Sequence, residues 1–255
     1  MRLQLDKGKA SGGTSAPNGK RPRKSAAVFQ DLKQKILTGH LTSDSPITEQ
    51  SLAKDYECSQ STIREALMQL QEHGLVIRRG YKGTYVTDPS LLEARLMLKL
   101  RLDIELTGVS EAAEKITSRE LQQLREIDDL FEACRSRRDV FGCAESDQAF
   151  HRKLFGVANM PALEPMLVRS ILGLQRVMLS TPRPDSAWAR PNVTPHRAIL
   201  DALVSGARQG AADALKAHIL SSAILLAPHF YGHDVDELQE EFEKKPVLRP
   251  ALAGL

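Results

Sequence analysis

Residues 28 to 86 constrain the fold most tightly, because three short helical patterns run directly into a strand pattern and a turn residue marks each boundary. VFQDLKQKILTGHL places Val28, Leu32, Ile36 and Leu37 at helical spacing and stops at Gly39. ITEQSLAKDYE has Thr48 as a cap and sets Leu52, Ala53 and Tyr56 on one side. A third helix opens at Ser59, turns Ile63, Ala66, Leu67 and Leu70 inward, and ends at Gly74, where a left-handed cap is expected. In LVIRRGYKGTYV, β-branched and aromatic residues flank a Gly-Tyr-Lys-Gly turn, the pattern of a hairpin. Three short helices and a two-stranded wing outline a winged helix-turn-helix over residues 25–88.

Such a unit suits duplex DNA, since a helix about 10–12 Å across enters the major groove while a wing reaches phosphates or a neighbouring groove. The residues available are Ser59, Gln60, Ser61, Thr62 and Arg64 at the start of the third helix, with Arg78, Arg79, Gly80 and Lys82 on the wing. Serine and threonine hydroxyls and the helix N-terminus can donate to phosphate. Arg64 has Gln60, Ser61, Leu67 and Met68 three and four positions away, so no intrahelical carboxylate competes for it. It is read as a DNA contact, with a merely solvated arginine as the alternative. Residues 25–88 hold seven Lys/Arg against eight Asp/Glu, so affinity has to come from the placement of charge, from a neighbouring segment, or from pairing two units. Residues 1–24 supply one such segment: seven basic residues face a single acid, in a Gly/Ser-rich arm expected to be disordered.

Beyond Pro89 the sequence reads as helix after helix, an antiparallel bundle over residues 89–231, followed by an acidic tail, 232–255, expected to be flexible. Thr117 and Glu120 form a capping box. No apolar run approaches the ~20 residues that cross a bilayer, and no signal peptide opens the chain, so a cytoplasmic protein without membrane contact is expected. Cys58, Cys134 and Cys143 lack the close doublets of structural zinc sites and read as reduced thiols.

SDQAFHRKLF sets Asp147 and His151 one helical turn apart. Locally that spacing describes a solvated pair worth about 0.2–0.5 kcal/mol. The rest of the bundle changes the balance. His196 and His218 lie at similar distances on either side of the SGARQG turn, so at ~1.5 Å rise per residue they reach nearly the same height, each beside an apolar stripe. Three inward histidines and an aspartate are costly to bury unless they share a partner, and a divalent cation supplies one. Imidazole and carboxylate suit Zn, Ni, Fe or Mn alike. His40, His73, His229 and His233 match no ligand pattern and are read as surface residues.

These residues resemble a known family. ITEQSLAKDYECSQSTIREALMQLQEHGLVIRRGYKGTYV is similar to the N-terminal domain of GntR-type bacterial transcription regulators, and the second half is similar to the helical FCD domain of their FadR subfamily. DQAFHRKL, PHRAILDAL and ALKAHI resemble that subfamily's metal-binding motifs, which implies Asp147, His151, His196 and His218 as ligands. Arg101, in LRLDIE, resembles an arginine that meets an effector carboxylate, although spacing alone equally allows an intrahelical pair with Glu105. Members often carry arginine where this chain has Gln50 and Gln60, and glutamine suits adenine where arginine suits guanine, so the operator is expected to differ.

The resemblance implies a metal-containing, small-acid-responsive transcription repressor that acts as a homodimer on a two-fold symmetric operator. Its effector would be a small organic or sugar acid. A metal-dependent hydrolase or lyase using the Asp/His site is the rival reading, since open metal coordination can activate water. A ligand sensor whose winged helix serves only protein contacts is another.

Overall fold

The computed structural model describes residues 24–80, 83–180 and 193–244. The basic arm up to Arg23, Lys82, most of the Pro-rich segment before Thr194 and the tail from 245 onward therefore lie outside the described residues, while Lys24, counted with the arm, opens the first helix. The first unit comprises α1 (Lys24–Leu37), α2 (Glu49–Asp55), α3 (Gln60–Glu72) and a two-stranded antiparallel wing, β1 (Val76–Arg78) and β2 (Thr84–Val86), with Ile77 opposite Tyr85. Thr48 caps α2 by accepting from the Ser51 N–H, and Ser59 caps α3 by accepting from that of Thr62. Gly74 follows α3 at φ +74°, a conformation open to glycine at little cost, and turns the chain into the wing.

The bundle is built from α4 (Leu91–Ala112), α5 (Ser118–Ser136), α6 (Val140–Ala158), α7 (Glu164–Leu179), α8 (His196–Val204), α9 (Arg208–Leu226), the short α10 (Pro228–Tyr231) and α11 (Val235–Lys244). Ser90 with Glu93, and Thr117 with Glu120, form reciprocal capping boxes at the starts of α4 and α5, satisfying N–H groups that would otherwise lack acceptors. Its core joins Leu98, Leu102, Phe150, Leu154, Ile199, Leu215 and Ile219. At Gly108 α4 comes so close to α6 that an added Cβ would lie 2.4 Å from Phe155 Cδ2.

Two findings depart from the sequence reading. Residues 235–244, expected within a flexible tail, form α11, whose Leu238 is buried in the bundle core. Its apolar residues are sparse among acids, but Val235, Leu238 and Phe242 follow the three- and four-residue spacing that covers one helix face. His73 is also half-buried, packed edge-on against Phe29 at 5.3 Å rather than solvated.

The winged helix shares a core with the bundle: Leu32, Ile36, Leu67 and Leu70 cluster with Ala144 of α6 and with Val168, Leu172 and Leu179 of α7. Two polar ties cross the same interface. Lys33 Nζ, almost fully buried, lies 2.5 Å from Glu145 Oε1 and donates to Gln148 Oε1 at 2.8 Å. Arg169 of α7 donates from Nε to the Glu72 carbonyl at 2.7 Å and from Nη2 to that of Gln71 at 3.0 Å, closing the C-terminal end of α3.

Candidate functional site

Asp147 and His151 project from α6, His196 from the first position of α8 and His218 from the middle of α9. One ligand atom from each of the four lies within 4.8 Å of all the others. Asp147 Oδ1 is the meeting point: His151 Nε2 stands at 3.7 Å, His196 Nε2 at 3.3 Å and His218 Nε2 at 3.6 Å. All three histidines are buried, and the His196 and His218 rings approach to 4.4 Å between centroids. Phe150 stacks on His196 at 4.1 Å and walls off one side.

The far nitrogens explain how the rings are aimed. His151 Nδ1 lies 2.5 Å from Glu105 Oε2, His196 Nδ1 lies 3.1 Å from Asp128 Oδ1, and His218 Nδ1 donates to the Thr194 carbonyl at 2.7 Å. A carbonyl oxygen can only accept, so His218 carries its proton on Nδ1. Burial, together with the neighbouring His196, pushes the His218 pKa down to about 3, which keeps the ring neutral and leaves a lone pair on Nε2 facing the carboxylate. His196 likewise turns its Nδ1 to an acceptor, and the Nε2 atoms of His151 and His196 are buried without a hydrogen-bond partner among the described residues. A lone pair directed at a carboxylate repels it; in the metal-free protein a proton on His151 eases the conflict on one side, and a cation among the four groups would remove it throughout. The donor set therefore fits a divalent transition metal, with Glu105, Asp128 and Thr194 fixing the imidazoles behind it.

Burial opposes ionisation of Asp147, but the His151 charge and the three imidazoles outweigh it and hold the carboxyl well below its usual range. For His151 burial likewise opposes the charged form, and the Glu105 and Asp147 carboxylates outweigh it, so the imidazole binds a proton more tightly than usual. Glu105 is fully buried, and the charges of His151 and Arg101 bring it down to about 2 in spite of that burial. Arg101 donates from Nε to Glu105 Oε1 at 2.6 Å, while its Nη2 is buried with no hydrogen-bond partner among the described residues. The intrahelical pair with Glu105 is therefore formed through Nε alone, and Nη2 is left over among the described residues.

The winged helix places Gln60, Ser61 and Arg64 on the exposed side of α3, Thr62 half-buried beside them, and Arg79 with Gly80 at the exposed wing tip. Ser59 Oγ lies 2.8 Å from Ser61 Oγ and 2.9 Å from Thr62 Oγ1. Arg79 stacks over the Tyr85 ring at 5.2 Å. Arg64 is not merely solvated. Its carboxylate partner comes from another helix: Glu49 accepts from Arg64 Nη2 at 2.8 Å and from Arg78 Nη2 at 2.6 Å.

The profile of the "Bacterial regulatory proteins, gntR family" matches residues 24–86, and that of the FCD domain matches residues 96–221. The HTH-type transcriptional regulator YcbG of Bacillus subtilis (strain 168) is 30% identical over 230 residues, covering 81% of this chain and 84% of the relative. The chain belongs to the GntR family. It is a DNA-binding transcription regulator with an FCD domain, and the hydrolase or lyase reading is set aside, since the family and the relatives are regulators. The HTH-type transcriptional repressor RspR of Escherichia coli (strain K12) is 26% identical over 132 residues, spanning 52% of this chain and 58% of the relative. The solved structure of E. coli McbR/YncC superposes with a TM-score of 0.67 at 20% identity, over 80% of this chain and 98% of that one, which speaks for the fold.

Glu105, Asp128 and Thr194 were missed as orienting residues from sequence. Glu105 had a signal, being one turn from Arg101, whereas Asp128 and Thr194 had none because they lie 68 and 24 residues from their histidines.

Proposed function

We propose that this regulator is a metal-containing sensor of small organic or sugar acids, a dimeric repressor that binds a two-fold symmetric operator through paired winged helices. The observation that carries the metal assignment is the convergence of three imidazole Nε2 atoms on one carboxylate oxygen, at 3.3–3.7 Å, with each Nδ1 already engaged behind. A bound divalent cation, held by Asp147, His151, His196 and His218, would supply positive charge for an acid's carboxylate.

The protein's own residues do the rest. Arg101 Nη2, buried and without an acceptor among the described residues, offers the acid a charge-assisted hydrogen bond on the Glu105 side of the cluster. Lys33 joins the response to the head, because its partners Glu145 and Gln148 flank Asp147 on α6. A shift of α6 on effector entry would move α1 with it, favouring one arrangement of the heads over another. The near-neutral charge of residues 25–88 supports pairing of heads, since a single unit has little net attraction to DNA. RspR, named a repressor, supports the sign of regulation.

A mobility-shift assay on fragments upstream of the protein's own gene tests the reading, with metal-loaded protein and a panel of small acids. Specific retardation that at least one acid relieves is expected. Retardation indifferent to every acid and to metal removal would contradict the sensor assignment.

A further inference from the structure

Glu49 is the first residue of α2, and its carboxylate gathers arginines from two other elements. Arg64 of α3 presents its side edge, with Nε 3.2 Å and Nη2 2.8 Å from Glu49 Oε2, and Arg78 of β1 places Nη2 2.6 Å from Oε1. The carboxylate is itself fixed in place. Thr48 caps α2, and Ile47, just ahead of it, forms a β-bridge with Thr84 of the wing, so α2, α3 and the wing are joined at this point. Both arginines remain partly exposed, at 54% and 41% of the side chain, and so face outward from the pair.

A guanidinium has two hydrogen-bonding edges, a side edge formed by Nε and one Nη, and an end edge formed by the two Nη groups. Glu49 occupies the side edge of Arg64. Among the described residues nothing occupies the end edge, which matches the paired acceptors O6 and N7 of guanine in the major groove. The same carboxylate repels phosphate and withholds Arg64 and Arg78 from the undirected backbone contacts that support non-specific binding.

We infer that Glu49 is a specificity-determining positioning residue, which fixes Arg64 as a reader of guanine and suppresses binding to unrelated DNA. The inference rests on the reading of Arg64 as a DNA contact. It also sharpens the operator expectation: Gln60 favours adenine at its position, whereas one guanine per half-site is retained for Arg64.

The test is selection from a randomised duplex library by the full-length wild type, Glu49→Gln and Arg64→Ala. Each protein is also titrated on the wild-type-selected duplex and on an unrelated duplex at several salt concentrations, with melting temperature and metal content as checks on folding. Glu49→Gln is expected to lower the preference for guanine at one position per half-site about tenfold, to bind the unrelated duplex more tightly, and to show a steeper salt dependence. Arg64→Ala should lose that guanine while preferences elsewhere in the site persist. Folded Glu49→Gln with an unchanged guanine preference and an unchanged ratio of specific to unrelated affinity would overturn the inference while leaving the DNA-contact reading intact. Arg64→Ala that binds the selected duplex as the wild type does would overturn both. If Glu49→Gln does not fold, Glu49→Asp replaces it: the shorter side chain keeps the charge but withdraws the fork, so guanine preference should fall, and its full retention would overturn the inference.

Discussion

Replacing Lys33 by methionine removes the buried ammonium at the junction of head and bundle while keeping an unbranched stem of similar length. The Nζ atom is 2.8 Å from Gln148 Oε1 and 2.5 Å from Glu145 Oε1, with the Lys33 side chain 4% exposed and that of Glu145 31% exposed. Loss of the donor strands the buried Gln148 oxygen, at a cost of about 1–3 kcal/mol. Glu145 can turn toward water, so its share is closer to that of a surface pair, up to about 1 kcal/mol. Burial is also the main influence on Lys33 and lowers its pKa, so part of the loss is offset by removal of a charge that is costly to bury. A net cost of about 2 kcal/mol follows, which for a chain of this size lowers the melting temperature by about 4–8 °C. The assay is a double-mutant cycle with Glu145→Gln, followed by thermal and urea unfolding of metal-loaded protein. Because α1 shares its core with α6 and α7, head and bundle should unfold in one transition. A coupling of about 1 kcal/mol between the two substitutions is expected. Costs that add within about 0.5 kcal/mol, or a Lys33→Met protein as stable as the wild type, would refute the contact as a tie between the domains.

Gly108→Ala drives a methyl group against the buried Phe155 ring, 2.4 Å from its Cδ2, and should cost about 1–3 kcal/mol by urea unfolding. Glu105 has an ordinary pKa of 4.5 that the folded protein brings to about 2, so its ionised form stabilises the fold above pH 4.5 and that contribution is lost as pH falls toward 2. The loss is on the order of 3 kcal/mol in metal-free protein, and a Glu105→Gln variant should show a visibly flatter stability profile across that window.

Much of this was legible in the sequence because the signals were local. Thr48, Ser59, Thr117 and Gly74 mark helix ends by chemistry confined to a few residues, and each lies at the expected end. The Asp/His cluster was legible for a different reason: antiparallel helices on a tight turn return residues to matched heights, and His196 and His218 meet as that geometry requires. The partners that aim these groups were not legible. Glu49 lies 15 residues from Arg64, and Gln148 lies 115 residues from Lys33, so only the packed fold brings them together. In α11, acidic residues outnumber the apolar ones, and composition hid the buried face of Leu238.

Calorimetric titration of the metal-stripped protein with Zn²⁺ distinguishes a metal site at Asp147, His151, His196 and His218 from a merely polar cluster. Saturable uptake of one ion per chain is predicted for the wild type and for His229→Ala, whose histidine is exposed and remote from the cluster motifs, and its loss is predicted in Asp147→Ala and His218→Ala. Absence of saturable uptake in the wild type, or uptake unchanged in those two variants, would rule out a metal held by these four residues.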